Sequence, residues 1–399
     1  MPASPIRRLT PYADQAKREG KKVYHLNIGQ PDIETPEIML NAIKNISFKV
    51  WAYTPSEGIL SYREKLAAYY NELGYNIGPE HIIITSGGSE GFIIATQSCL
   101  DSGDEIIVPE PFYANYSGFA CMSDAVIKPV LSNIENGFAL PPISEFEKLI
   151  TPKTKAIFIC SPNNPTGYLY SREELEAIKE LCLKYDLYLF ADEAYRDFCY
   201  DDREFVSPMH LEGVENHVIV IDTLSKRYSA CGARLGFLIT KNKQVLATAL
   251  KFAQARLSAG MVEQIAGEAA IDTAHSYMEA VQKEYSERRD ILVEALNNIE
   301  GVFCPNPGGA FYVVARLPID DTDKFCQWVL EEFCYEGQTI MMAPATGFYS
   351  NPEAGKNEVR LAYVLNKKDL MSAMICLEKA LAAYPGRTIK KAHQLEKTI

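Results

Sequence analysis

Tryptophan occurs only twice in the 399 residues, and histidine six times. The histidines (His25, His81, His210, His217, His275, His393) show no metal-ligand spacing and no pairing with serine and aspartate that would suggest a hydrolytic triad. The ten cysteines are scattered, with no C-x-x-C; that excludes a zinc ribbon or a disulfide framework and reads as small hydrophobes in a reducing, cytoplasmic compartment. No apolar run reaches the ~18 residues of a membrane span, and the start, "MPASPIRRLT", lacks the apolar stretch of a signal peptide. Basic residues are outnumbered, 40 against 52 acidic ones, for a net charge of −12. A general nucleic-acid surface or attraction to anionic membranes is therefore not expected, although a local basic pocket for a small anion is allowed. The expectation is a soluble, intracellular protein without a metal.

What is present is a chain long enough for two domains, 47% hydrophobic and 23% charged. Short apolar runs alternate with helix-length amphipathic segments through the middle: "HIIIT", "DEIIVP", "AVIKPV", "KAIFIC", "LYLFADE", "VIVIDT" and "RLGFLIT". Near-continuous apolar strands separated by helices predict an α/β domain with a mostly parallel sheet covered on both faces. Ser171 with Glu174 forms a capping box that starts a helix. From about Gly260 to Leu296 the pattern reads as one long helix. The last hundred residues change to an α+β rhythm, with the N-terminal segment expected to pack there. The predicted division is residues 1–45 as an N-terminal arm and part of a small domain, 46–285 as a large domain, and 286–399 as the rest of the small domain. The final "KKAHQLEKTI" reads as a frayed end.

In such a sheet ligands bind beyond the carboxyl ends of the strands. Those positions carry "SGGSEG" (86–91), a small-residue turn suited to an anion at a helix start, and "EPFYANY" (110–116), with aromatics able to stack on a planar ligand. They also carry "SPNNPTG" (161–167), a rigid turn presenting an amide, and "ADEAY" (191–195), with a carboxylate that is costly there unless paired. Last comes "LSKRYSACGARLG", which places Lys226 and Arg234 among small residues. A lysine so held is a candidate for imine chemistry. Each feature alone is more often structural than functional; their conjunction is not.

With these motifs the sequence resembles the class I/II aminotransferases, pyridoxal-phosphate enzymes of fold type I, and is closest to their aspartate-type branch. The resemblance runs from "LNIGQPD" to "VRLAYV" and rests on "SPNNPTG", "DEAY" and "SKRYSACGARLG" in family order. It implies a large domain with a seven-stranded-type sheet between helices, plus a smaller α+β domain from the two chain ends.

The resemblance further implies roles. Lys226 is to hold pyridoxal 5'-phosphate as a Schiff base and then move a proton on the substrate. Asp192 is to pair with the pyridinium nitrogen, Asn164 and Tyr195 are to bond the phenolic oxygen, and Tyr113 is to stack on the ring. Gly88, Ser89, Thr223, Ser225 and Arg234 are to hold the phosphate, joined by Tyr53 from the second subunit of a homodimer. Arg360 is to grip the substrate α-carboxylate, with Gly29, Tyr113 and Asn164 also lining the substrate site. The family usually carries Ser or Gly where this chain has Thr223, and the hydroxyl survives. "ARLSAGMVEQ" (255–264) replaces a Ser/Thr-Asn-rich stretch, leaving Arg256 either a counter-ion for a distal carboxylate or a solvated arginine.

The implied activity moves an amino group from an L-amino acid to 2-oxoglutarate by a ping-pong cycle through pyridoxamine phosphate. Aspartate is the first donor, with aromatic amino acids or alanine next. A C–S β-lyase of the cystathionine type is the alternative on the same scaffold. A non-enzymatic ligand sensor is disfavoured, because no basic DNA-binding domain precedes the family pattern.

Overall fold

The computed structural model describes residues 6–389, so "KKAHQLEKTI" lies outside the described residues. The chain divides into two compact units. The larger holds residues 30–287 and 307–311; the smaller holds the described part of 3–29, then 288–306 and 312–389. Residues 30–45 count with the larger unit, because the helix Glu37–Lys44 packs on the helix Met261–Ala270.

The larger unit is built on a seven-stranded sheet. In spatial order its strands are Ile82–Thr85, Gly236–Ile239, Val218–Thr223, Tyr188–Asp192, Thr154–Cys160, Glu105–Glu110 and Val126–Leu131. All neighbours pair parallel except Gly236–Ile239, which is antiparallel to both of its partners. The central runs are apolar on both faces because both are covered: Ile157, Leu189, Val220 and Phe237 are all fully buried. Each such side chain contributes roughly 1.5–3 kcal/mol by leaving water.

The helix Arg172–Tyr185 begins as its sequence predicts. Ser171 Oγ accepts the Glu174 N–H at 3.2 Å, and Glu174 Oε2 accepts the Ser171 N–H at 2.7 Å. It buries Leu175, Ile178, Leu181 and Cys182, one face at helical spacing, and stops where Asp186 turns left-handed.

The expected single helix from Gly260 to Leu296 is instead two, Met261–Ala270 and His275–Asn297. Between them Asp272 and Thr273 make tight turn bonds, and Thr273 Oγ1 donates to the Ala270 carbonyl at 2.6 Å. Side-chain bonding of this kind competes with the helix ladder, and apolar periodicity does not register it.

In the smaller unit Lys22–His25 pairs parallel with Gln338–Met341. Glu358–Ala362 runs antiparallel between Ala343–Pro344 and Tyr312–Arg316. Among the described residues no helix is long and apolar enough to cross a membrane.

Candidate active site

Strand register gathers the predicted residues of the larger unit on one edge. Thr85 and Thr223 both face Gly236, Asp192 faces Ile221, and Cys160 faces Asp192. The turns after Thr85, Cys160, Asp192 and Thr223 therefore open side by side, carrying Gly88 and Ser89, Asn164, Tyr195, and Ser225 with Lys226.

Asp192 is 5% exposed. Burial pushes its carboxyl up to about 6 even though three partners favour the charged form. Tyr116 Oη donates to Oδ2 at 2.6 Å, the Ala194 N–H donates to Oδ1 at 3.0 Å, and the Lys226 ammonium pulls in the same direction. Tyr116 was not singled out in the sequence; "EPFYANY" offers two tyrosines three apart, and only packing separates them. Tyr116 is buried, 4.1 Å centroid to centroid from Phe158, whereas Tyr113 is half-buried, edge-on to Tyr116 at 5.4 Å, and accepts from Asn115 Nδ2 at 2.7 Å.

The "SPNNPTG" turn is closed by its own backbone: the Asn163 N–H donates to the Tyr168 carbonyl and the Gly167 N–H to the Asn163 carbonyl. That fixes Asn164, 3% exposed, with its Nδ2 3.4 Å from Tyr195 Oη. Tyr195 is in turn wedged edge-on against Phe311.

Lys226 sits half-buried in the four-residue turn Leu224–Arg227. Its Nζ lies 3.7 Å from Cys231 Sγ, which itself donates to the Ser225 carbonyl at 3.1 Å. Thr223 caps this turn: its Oγ1 accepts the Ser225 N–H at 3.2 Å and donates to the Leu235 carbonyl at 2.8 Å. A hydroxyl has one proton, so Thr223 is committed locally, while Ser225 Oγ beside it at 2.8 Å can turn outward.

Arg234 adopts a left-handed backbone, φ 48°, and is exposed. Its guanidinium lies against Gly87, where an added Cβ would meet Nη2 at 2.4 Å. Gly87 itself has φ 83°, a second reason for glycine there. The helix Gly88–Cys99 starts at this point, and its first N–H groups, at Gly88 and Ser89, have no carbonyl one turn back. An exposed guanidinium beside free helix-start amides is a cradle for an anion.

Arg256 is not the solvated arginine that was one of the two alternatives drawn from the sequence. It is largely buried, Nη2 donates to the carbonyls of Ser56 and Ile84 at 2.9 Å each, and Nη1 lies 3.4 Å from Glu90 Oε2. These contacts tie Ser56 to Ile84 and Glu90. Tyr53, by contrast, is 79% exposed.

In the smaller unit Arg360 is 1% exposed. Its Nη2 donates to the Asn27 carbonyl, and the guanidinium lies over Tyr312 at 4.6 Å and Phe348 at 4.9 Å. A Cβ on Gly29 would fall 1.7 Å from Tyr312 Oη, so the collision that demands glycine there is with a tyrosine of the same unit.

Pyridoxal phosphate carries a phosphate, a basic ring nitrogen, a phenolic oxygen and an aldehyde. The larger unit offers a matching group for each: the Gly87–Ser89 cradle with Arg234 and Ser225, the buried Asp192, the Asn164–Tyr195 pair, and Lys226. Among the described residues no group of three His, Cys, Asp or Glu is placed to hold a metal ion.

Comparison with known proteins agrees. The family described as aminotransferase class I and II matches residues 21–374. An aspartate aminotransferase of Pyrococcus horikoshii is 35% identical over 367 residues, 90% of each chain. Among solved structures, the aspartate aminotransferase of Thermus thermophilus with maleate superposes with a TM-score of 0.87 at 29% identity, covering 95% of this chain and 97% of that one. An alanine aminotransferase of Pyrococcus furiosus gives a TM-score of 0.87 at 30% identity, covering 94% and 96%. The chain belongs to the class I and II aminotransferases, pyridoxal-phosphate-dependent enzymes of fold type I that pass an amino group between amino acids and keto acids.

Proposed function

We propose that this aminotransferase takes its amino group from L-aspartate and gives it to 2-oxoglutarate, in two half-reactions that share one site, as a cytoplasmic homodimer. The observation that carries the reading of the site is the common sheet edge of Lys226 and Asp192, close enough for the lysine's charge to favour the ionised carboxyl. Aspartate is the first donor because the relatives at 35% and 29% identity bear that activity in their names.

Bound pyridoxal phosphate supplies an electron sink that lets a proton leave the substrate's Cα. Lys226 holds the cofactor and, once displaced by the donor amine, shuttles that proton as a general base and acid. Asp192, kept anionic by a cationic ring nitrogen, keeps that nitrogen protonated. Asn164 and Tyr195 donate to the phenolic oxygen, and Tyr113 covers the ring. Arg234, Ser225 and the amides of Gly88 and Ser89 bind the phosphate, while Thr223 braces the Ser225–Lys226 turn. Arg360 takes the α-carboxylate as a two-pronged donor, beside Gly29.

The homodimer is supported by a run of exposed apolar side chains in the larger unit. Val50, Trp51 and Tyr53 are 72%, 68% and 79% exposed, and rings this open in one stretch mark a surface that another chain covers. The partner subunit's Tyr53 then reaches the phosphate. Ten cysteines, all free, suit a reducing compartment.

The test is the visible spectrum of cofactor-loaded protein during sequential additions. Aspartate should abolish the band of the lysine-bound cofactor, and 2-oxoglutarate, added after the donor is removed, should restore it. A band indifferent to aspartate but abolished by an aromatic amino acid or alanine reassigns the donor. Pyruvate and ammonia released from cystathionine would instead make the enzyme a lyase.

A further inference from the structure

Four residues at the cofactor edge have, as their immediate chain neighbour, a buried ionisable side chain. Asp192 is followed by Glu193, Tyr195 by Arg196 and Lys226 by Arg227, and Thr223 is preceded by Asp222; none of these four neighbours is more than 5% exposed. Three of them, with Asp197, form one cluster.

Asp222 is its centre. Its Oδ2 accepts from Tyr70 Oη at 2.7 Å and from Arg227 Nη2 at 2.8 Å, and lies 3.1 Å from Arg196 Nε. Its Oδ1 accepts the Thr223 N–H at 2.6 Å. Arg227 also reaches the other way, Nε donating to Asp197 Oδ2 at 2.5 Å. Arg196 donates to Tyr69 Oη at 2.6 Å, and both guanidinium groups lie about the Tyr69 ring, at 5.1 and 5.2 Å. Two cations and two anions balance, so the cluster carries no net charge inward.

Stability alone does not account for it. Taking four charges out of water is expensive, and well-packed apolar residues of similar volume often do as well or better. What the cluster does provide is geometry. The Leu224–Arg227 turn is far too short to hold itself, since an isolated helix of four residues does not form. Arg227 closes it at both ends: to Asp222 at the end of the strand that precedes the turn, and to Asp197 on the segment that carries Asp192 and Tyr195. The fork of one guanidinium thus sets where Lys226 stands relative to the residues that face the ring.

We infer that Arg227 and Asp197 are positioning residues that hold Lys226 in register with Asp192 and Tyr195, through the Arg227 fork. The inference rests on the reading of Lys226 as the cofactor-bearing lysine.

The test compares the cofactor-loaded wild type with Arg227→Lys and Asp197→Asn. Lysine keeps the charge but cannot span two carboxylates, and asparagine keeps the shape of Asp197 without its charge. A misplaced proton shuttle lowers kcat about tenfold or more in either variant. KM for the donor stays within about twofold of wild type, because substrate binding does not use these residues. The pH midpoint of the visible band moves as well, since the lysine nitrogen has changed surroundings.

A cluster that only stabilises the fold would lower the melting temperature and leave kcat per loaded site and the band midpoint as in wild type; that result overturns the inference. Loss of folded protein in both variants assigns the cluster to folding and overturns it too. A wild type without a visible band, or unresponsive to every amino acid and to cystathionine, would instead sink the functional reading.

Discussion

Tyr116→Phe isolates the contact that governs the charge of Asp192. Only the hydroxyl is lost; the ring keeps its place against Phe158 and Phe92, so the fold is retained. The Asp192 carboxyl, an ordinary acid pushed up to about 6 by burial, loses the 2.6 Å donor that most favours its ionised form. A hydrogen bond to a charged group contributes about 1.5–3 kcal/mol, and 1.36 kcal/mol corresponds to one pH unit. The carboxyl of the apoenzyme should therefore titrate at least about one unit higher in the variant, which leaves much of it neutral at pH 7.

The assay is the pyridoxal-phosphate affinity of the apoenzyme between pH 5.5 and 8.5, followed by quenching of Trp51 and Trp328 fluorescence. Wild type should lose affinity as pH falls toward 6. The variant should begin to lose it about one unit higher and converge with wild type at the alkaline end. Superimposable profiles would mean that Tyr116 does not control the carboxyl, and the account of Asp192 would fall.

Further outcomes follow from other contacts. Burial pushes the Glu193 carboxyl up to about 7 against the pull of its bonds to Ser207 and Tyr75. The folded chain thus holds a proton that the unfolded chain releases near 4.5, so the stability it contributes is full at low pH and falls through the 4.5–7 window, by about 3 kcal/mol. Glu193→Gln should flatten that part of the slope in urea unfolding of the apoenzyme at pH 5 and 7; an unchanged slope refutes it. Gly29→Ala puts a methyl into Tyr312 Oη and should cost about 1–3 kcal/mol as overpacking, read as a lower melting temperature. Arg256→Ala leaves the Ser56 and Ile84 carbonyls without their donor and should destabilise by about 1–3 kcal/mol while the ratio of aspartate to alanine turnover stays constant. A change in that ratio would return Arg256 to the substrate pocket.

Much of this was legible in the chain itself, because the signals are local. Uninterrupted apolar runs give buried strands, and Ser171 with Glu174 gives a helix start that the hydrogen bonds reproduce. The turn residues after each run mark the edge where Asn164, Asp192 and Lys226 meet. What was not legible depends on partners far apart in sequence. Arg256 looks like any surface arginine until it meets carbonyls 172 and 200 residues away. Tyr116 lies in the short helix Asn115–Met122 and Tyr113 in the loop before it, and nothing in the string says which of the two is buried. The charges beside the site residues, Arg196, Asp197, Asp222 and Arg227, read as solvated positions in a string and become a buried cluster only once the strands are laid side by side. The break at Asp272–Thr273 escaped because hydrophobic periodicity continues across it.

The central claim is that Lys226 carries the cofactor, and the direct measurement is to fix that bond in place. Cofactor-loaded protein is reduced with borohydride, digested, and mapped by mass spectrometry. The account predicts one stoichiometric pyridoxyl adduct, on the peptide containing Lys226, and none in Lys226→Ala. An adduct on another lysine, or none in a protein that binds the cofactor, would contradict it.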